Sequence, residues 1–116
     1  MKTHKDLEAW QRSIDLVTDI YLITKSFPKE ECFGIISQLR RAAVSIPANI
    51  AEGAGRNTTG ELKQFLGIAM GSLSELETLV LISSKIGYLN EAEFSSLQDK
   101  ISLQFRLLSG LRHSLK

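Results

Sequence analysis

The sequence QLRRAAVSIPANIAEGAGR, Gln38–Arg56, decides the fold that we expect for this chain. Its aliphatic residues recur every three or four positions, which predicts a helix with one buried face. The inward positions are Leu39, Ala43, Ile46 and Ile50, together with Ile36, which lies just before the stretch. The opposite face lacks most of the long charged side chains of a solvated helix, so we expect it to contact another surface. Its members are Ser37, Arg41, Ser45, Ala48, Glu52 and Gly55.

Pro47 stands in the middle of this helix. Proline has no backbone N–H, and its ring crowds the carbonyl four residues earlier, here that of Ala43, which costs about 3 kcal/mol or more in a regular helix. We therefore expect a bend in the helix at Pro47.

A first helix is predicted before this stretch, from about Lys5 to Lys25. Its apolar positions predict an inward face of Leu7, Trp10, Ile14, Val17 and Tyr21. Pro28 suits the first turn of a helix, so the second helix is expected to begin at Phe27-Pro28 and to end at the Gly-Ala-Gly of residues 53–55. Cys32 lies beside the inward face of the second helix and is expected to be a small buried hydrophobic residue.

A third helix is predicted from about Thr59 to Lys85, and a fourth after Asn90. Capping boxes predict both starts, because the pairs Thr58/Glu61 and Asn90/Glu93 can bond the free backbone N–H groups there. Gly87 supplies a left-handed stop between them. The predicted core face of the third helix is Leu62, Phe65, Leu66, Ala69, Leu73, Leu76 and Val80. That of the fourth helix is Phe94, Leu97, Ile101, Leu108, Leu111 and Leu115.

Short connections between helices of similar length favour antiparallel neighbours. No segment has the alternating pattern of a β-strand. The predicted fold is therefore all-α, an antiparallel up-down-up-down four-helix bundle that forms a single domain over residues 1–116.

The outer face of the third helix is also made largely of small residues. Gly67 and Gly71 lie one turn apart there, although each glycine lowers helix stability by up to about 1 kcal/mol relative to alanine. We expect them to permit close packing against another helix, and the second and third helices to form the contacts of a cyclic homo-oligomer. The predicted interface residues are Ser45, Ala48, Asn49, Glu52, Gly67, Gly71 and Glu75.

Composition excludes several classes of protein. One cysteine rules out an internal disulfide, and two histidines with one thiol cannot form a closed metal site of the usual spacing, so we expect no metal and no cofactor. We read no apolar stretch as approaching the about 20 residues of a membrane span, and the first residues lack the apolar core of a signal peptide. We therefore expect a cytoplasmic protein without membrane contact.

No group of residues indicates an enzyme. Residues 53–60, GAGRNTTG, superficially resemble a phosphate loop but have no preceding strand and no Lys-Ser/Thr, so a helix end followed by a helix start explains them better. Glu75 and Glu77 do not face each other on a helix. His4 and His113 lie near the termini, where side chains are usually exposed. We predict no catalytic residue.

Arg40, Arg41 and Arg56 are the candidate nucleic-acid-binding residues. The planar fork of arginine suits either carboxylate or phosphate, so salt bridges between subunits, to Glu52 or Glu75, and contacts to RNA or DNA both remain open. Arg56 can also pair with Glu52 one turn earlier, or help the amides at the start of the third helix to hold one phosphate. The net charge is only +1, so nucleic-acid binding would depend on several copies brought together by assembly.

Motifs along nearly the whole chain are familiar. They include Asp6-Leu7 with Trp10-Gln11, Phe27-Pro28, SIPANIAEG at 45–53 followed by Gly-Arg, FLGIAMGSLSELET at 65–78 and IGYL at 86–89. Together they resemble the bacterial four-helix-bundle family of 23S rRNA intervening-sequence proteins, for which an older label is ribosomal protein. The motif residues carried over are Arg40, Arg41, Ser45, Pro47, Asn49, Glu52, Gly53, Arg56, Gly71, Ser72 and Glu75.

The resemblance implies a bundle that assembles into a cyclic homopentamer with a central channel. The accessory variability protein of diversity-generating retroelements looks similar in fold, and it binds nucleic acid and a reverse transcriptase. The resemblance does not say whether the motif residues bind RNA or hold the ring together. We expect a non-enzymatic homo-oligomer that binds RNA or DNA weakly through phosphate, with a protein-docking scaffold for an unidentified protein as the alternative.

Overall fold

The computed structural model describes residues 3–115, which contain four long helices. These are α1 (Glu8–Thr24), α2 (Ile35–Ala54), α3 (Thr59–Lys85) and α4 (Glu91–Ser114), with one-turn 3-10 helices at His4–Asp6 and Lys29–Glu31. The described part of the chain contains no strand. Each helix packs against its two neighbours in the order α1, α2, α3, α4 and back to α1. The predicted all-α four-helix bundle is confirmed.

The helix boundaries follow the sequence closely except at the start of α2. Phe27-Pro28 leads into the 3-10 turn, and α2 begins only at Ile35, because Gly34 has φ −107° and ψ −121°, outside helical geometry. From there α2 runs through a buried Pro47. The bend expected at Pro47 stays a prediction.

The caps of α3 and α4 differ in detail. Asn90 and Glu93 form a complete capping box, with N···O distances of 2.8 and 2.9 Å. At α3 the Thr58 hydroxyl accepts from the Glu61 N–H (3.1 Å) but donates to the Glu61 carboxylate (3.0 Å), so only half of the predicted box forms. Gly87 has φ 89° and ends α3 in the predicted left-handed conformation.

All five residues of the predicted inward face of α2 are buried, as are five of the seven predicted core residues of α3 and three of the six predicted for α4. The predicted face of α1 was wrong by about one residue. Its buried positions are Ala9, Ser13, Leu16, Ile20 and Thr24, whereas Ile14 and Tyr21 are exposed. Ser13 and Thr24 tolerate burial because their hydroxyls donate to the carbonyls of Trp10 (2.6 Å) and Ile20 (2.7 Å) of the same helix.

Cys32 and Trp10 are both expected from the sequence to lie on or beside inward faces. Cys32 is exposed, so its predicted burial was wrong: it lies in the turn between the 3-10 helix and α2, before the inward face of α2 begins. Trp10 packs against the edge of the core and is half-buried, with its ring 5.1 Å from that of His4.

One end of the bundle is tied together by Tyr88, which follows α3. Its hydroxyl donates to the Glu31 carboxylate (2.9 Å), and its ring lies 5.2 Å from that of Phe27. The hydrogen bond to the negatively charged Glu31 raises the pKa of Tyr88 above its ordinary value. This contact connects the turn after α3 with the turn before α2.

Candidate functional site

The contact between α2 and α3 places two of the predicted interface residues inside the monomer. The Ser45 and Ser72 hydroxyls are 2.8 Å apart, and the Asn49 amide donates to the Ser45 carbonyl (2.8 Å) and hydroxyl (2.9 Å). Ser45 and Asn49 are half-buried. Their polar groups therefore satisfy one another between the helices, and only part of each side chain is available to another subunit.

A shallow groove runs along this pair of helices, and we call it the α2–α3 groove. It is lined by Gln38, Arg41, Ala42, Ser45, Ser72 and Glu75. Ala48 and Glu52 continue the same side of α2, Gly71 lies one turn from Glu75, and all three are exposed. Four of the predicted interface residues, Ala48, Glu52, Gly71 and Glu75, thus form an outer surface of small side chains with a few charges.

The two outer glycines of α3 have different surroundings. A Cβ on Gly67 would lie 3.5 Å from Nη2 of Arg112, whereas a Cβ on Gly71 would meet no atom within 4 Å. The Arg112 side chain of α4 therefore covers Gly67, whereas nothing in the described chain packs against the Cβ position of Gly71. If Gly71 permits close packing, as predicted, the helix that approaches it belongs to another molecule.

The close approach within the monomer occurs instead at Gly53, near the end of α2. A Cβ there would lie 2.7 Å from Cβ of Phe65 and 3.3 Å from the backbone oxygen of Leu62. Gly53 is buried on the same side of α2 as Ile46 and Ile50. Glycine at this position therefore sets the distance between α2 and α3.

Arg40 is held within the chain. Its Nε donates to the Thr24 hydroxyl (3.0 Å), one Nη donates to the Tyr21 carbonyl (3.4 Å), and its guanidinium lies 4.5 Å from the centre of the Tyr21 ring. These bonds attach the end of α1 to α2. Part of the Arg40 fork is therefore already occupied.

Arg56 also has partners in its own chain. It forms a 3.0 Å salt bridge with Glu52, one of the pairings anticipated from the sequence, and its guanidinium lies 5.0 Å from the Phe65 ring. The Glu61 carboxylate sits at the start of α3, bonded to Thr58, where a phosphate was considered. Arg56 is thus already paired with Glu52, and a carboxylate already occupies the start of α3.

Arg41 is the candidate arginine with no salt bridge or hydrogen bond from its side chain in the part of the chain that the structure describes. It is exposed and lines the α2–α3 groove opposite Glu75. Arg56 follows the end of α2, 15 residues after Arg41, which corresponds to about 22 Å along the helix axis at 1.5 Å per residue. The structure therefore brings Arg40 and Arg41 together at one end of α2 and leaves Arg56 at the other.

Two surface features were not predicted from the sequence. The Phe33 side chain is 97% exposed and lies beside a shallow groove that includes Tyr21, Arg40, Arg41 and Val44. Tyr21 and Val44 are also exposed and line the same groove, and a contiguous exposed apolar patch of this kind marks an interaction site when it is large. The second feature is a cleft between α3 and α4 that is lined by Lys63, Met70, Ser109, Arg112 and His113.

One helix in the described range, α3, is long and apolar enough to cross a membrane by length and composition. Its best 18-residue window has a mean hydropathy of 1.6, so the expectation that no apolar stretch approaches a span was wrong. The inward face of a bundle helix raises hydropathy in the same way, so length and composition alone do not indicate a membrane span. Only 33% of that window is buried in the monomer.

Residues 3–115 contain no group of three or more His, Cys, Asp or Glu side chains that could hold a metal ion. His4 packs on Trp10 and His113 is exposed on α4. Nothing in this arrangement indicates catalysis.

The sequence matches the family of 23S rRNA-intervening sequence proteins over residues 5–110. None of the curated proteins compared with it matches. The fold resembles a 1.70 Å crystal structure from Bacteroides thetaiotaomicron of a protein with unknown function from the S23 ribosomal protein family. The TM-score is 0.85 at 20% identity, over 91% of this chain and 96% of that chain, and this likeness shows the fold alone. Because the family match spans most of its length, the chain belongs to the family of 23S rRNA-intervening sequence proteins.

Proposed function

We propose that the protein is a non-enzymatic subunit that assembles with copies of itself into a closed ring. The observation that carries this proposal is the uncovered face of α3. Ile68 and Ile82, four turns apart, are 45% and 43% exposed, and Gly71 with its open surroundings lies between them. An apolar face with room for a close neighbour is typical of a protein–protein contact.

The α2–α3 groove supports the same proposal. It carries the Glu75 carboxylate and Arg41, whose side chain has no salt-bridge partner within residues 3–115, and these charges suit a polar border around an apolar contact. A contact between two different patches of the chain closes into a ring when the rotation between subunits allows it. The proposed number of five subunits rests on the family resemblance.

Light scattering coupled to size-exclusion chromatography tests the assembly. We expect a mass that is an integral multiple of the 12.9 kDa chain, and five copies if the ring is pentameric. Native mass spectrometry of the same sample would count the subunits independently. A stable 12.9 kDa monomer at micromolar concentration would contradict the proposal.

We further propose that the ring binds RNA or DNA weakly through phosphate, with Arg41 as the contributing residue among the three candidate arginines. Its guanidinium has no carboxylate partner in the described residues, and assembly would repeat it once per subunit. Phosphate contacts carry no direct base information, so such binding should be insensitive to sequence and should weaken steeply with salt.

Titration of fluorescently labelled RNA and DNA at low salt tests this second step. Arg41→Gln should lower the affinity and reduce the salt slope, whereas Arg12→Gln, which removes an exposed arginine of α1 already paired with Glu8, should change little. Absence of binding by an intact ring would favour protein docking, for which the exposed Phe33 and its groove are the specific observation. Loss of the ring in Arg41→Gln would assign Arg41 to the subunit contact.

A further inference from the structure

A cleft between the first turns of α3 and the last turns of α4 gathers basic side chains from both helices. It is lined by Lys63, Met70, Ser109, Arg112 and His113. Lys63 and Arg112 are 49 positions apart in the sequence, so only the packing of α3 against α4 brings them together. We call it the α3–α4 cleft.

Arg112 is held in position by the backbone of α3. Its Nε donates to the Lys63 carbonyl (3.1 Å), and its guanidinium lies over Gly67, where a Cβ would be 3.5 Å from Nη2. Neither Nη has a hydrogen-bond acceptor within residues 3–115. Because Nε is fixed and both Nη groups are free, the fork is already oriented for a bound anion.

The charge in this cleft is not balanced by carboxylates. Of the lining residues, all within the described range, none is acidic. Elsewhere on the surface Arg12 and Arg56 pair with glutamates one turn away. The partial negative charge at the end of α4 explains the presence of Arg112 and His113 in its last turn. It does not explain why Lys63, from a different helix, lines the same cleft.

We propose that the α3–α4 cleft binds a phosphate group. The guanidinium of Arg112 donates two parallel N–H bonds to the phosphate oxygens, Lys63 supplies a second positive charge, and the Ser109 hydroxyl adds a neutral donor. This site is separate from the three arginines singled out in the sequence, and it does not depend on assembly into a ring.

Thermal unfolding in phosphate and in sodium chloride of equal ionic strength, at constant pH, tests the site. A ligand that binds only the folded chain raises the melting temperature in a saturable way, from which the apparent dissociation constant follows. We expect saturable stabilisation by phosphate in the wild type. Arg112→Gln should weaken binding by about tenfold or more, because two charge-assisted hydrogen bonds are lost.

The control variants separate binding from folding. Arg12→Gln should retain the wild-type response, and any general effect of phosphate as a salt appears equally in all variants. Lys63→Gln keeps the backbone carbonyl that holds Arg112, so it tests the site even if Arg112→Gln folds poorly. Equal responses to phosphate in the wild type, Lys63→Gln and Arg112→Gln would overturn the proposal.

The source of the phosphate is distinguished with a labelled single-stranded oligoribonucleotide. If Lys63→Gln weakens binding of both inorganic phosphate and the oligonucleotide, the cleft accepts a phosphodiester of a nucleic acid. If it weakens only binding of inorganic phosphate, the cleft takes a small free phosphate compound. Both results support the site, and the mass of the assembly, measured on the same samples, reports separately on the ring.

Discussion

Replacement of Gly53 by alanine is expected to destabilise the bundle strongly. The new Cβ would lie 2.7 Å from Cβ of Phe65 and 3.1 Å from a methyl carbon of Leu62. The Cβ of Phe65 moves only with the backbone of α3, so the helices must separate or shift. Overpacking of this kind typically costs about 1 to 3 kcal/mol, and the cost should appear as a lower free energy of unfolding in urea.

Gly110→Ala is the matched control for this prediction. Gly110 lies within α4, is exposed, and has no atom within 4 Å of its Cβ position. Alanine is a better helix former than glycine by up to about 1 kcal/mol, so this variant should be unchanged or more stable. A Gly53→Ala protein as stable as Gly110→Ala would show that α2 and α3 do not approach each other as closely as the coordinates indicate.

The role of Gly53 could have been inferred from the sequence. It follows Ile46 and Ile50 at helical spacing, so it falls on the inward face of α2, where a glycine implies a close neighbour. If residues 53–55 are interpreted only as a helix end, the inward position of Gly53 is overlooked.

The buried face of α1, in contrast, could not be predicted from its apolar residues, because two hydroxyl residues are buried there while Ile14 and Tyr21 are exposed. A hydrophobic pattern alone places the hydroxyl residues on the exposed face and Ile14 and Tyr21 on the buried face, which is the reverse of the structure.

The candidate site was less predictable than the fold, because side-chain partners are set by packing between distant segments. Arg40 contacts Thr24, 16 positions earlier, and Arg112 contacts Lys63, 49 positions earlier. The local pattern predicted correctly that Glu52 and Arg56 can pair, since they lie one turn apart. It could not show that the one arginine of the three with no partner in the described residues is Arg41.

Replacement of Gly71 by leucine should abolish assembly without unfolding the monomer. The position is exposed, and a Cβ there has no atom of the described chain within 4 Å, so a leucine can extend into solvent, and helix propensity improves. If a helix of a neighbouring subunit packs closely on α3, the same side chain collides with it at every contact of the ring. The variant should therefore have the mass of one chain, with a melting temperature that does not depend on protein concentration.

Gly110→Leu separates this effect from the general consequence of adding a leucine to the surface. It also places a leucine at an open, exposed helical glycine, but on α4, away from the α2–α3 groove. We expect Gly110→Leu to form the same assembly as the wild type, and circular dichroism to give equal helix content for all three proteins. If Gly71→Leu and Gly110→Leu assemble equally well, Gly71 faces solvent in the ring. The apolar face of α3 would then be free for a partner other than a second copy, because the contact between subunits must lie elsewhere.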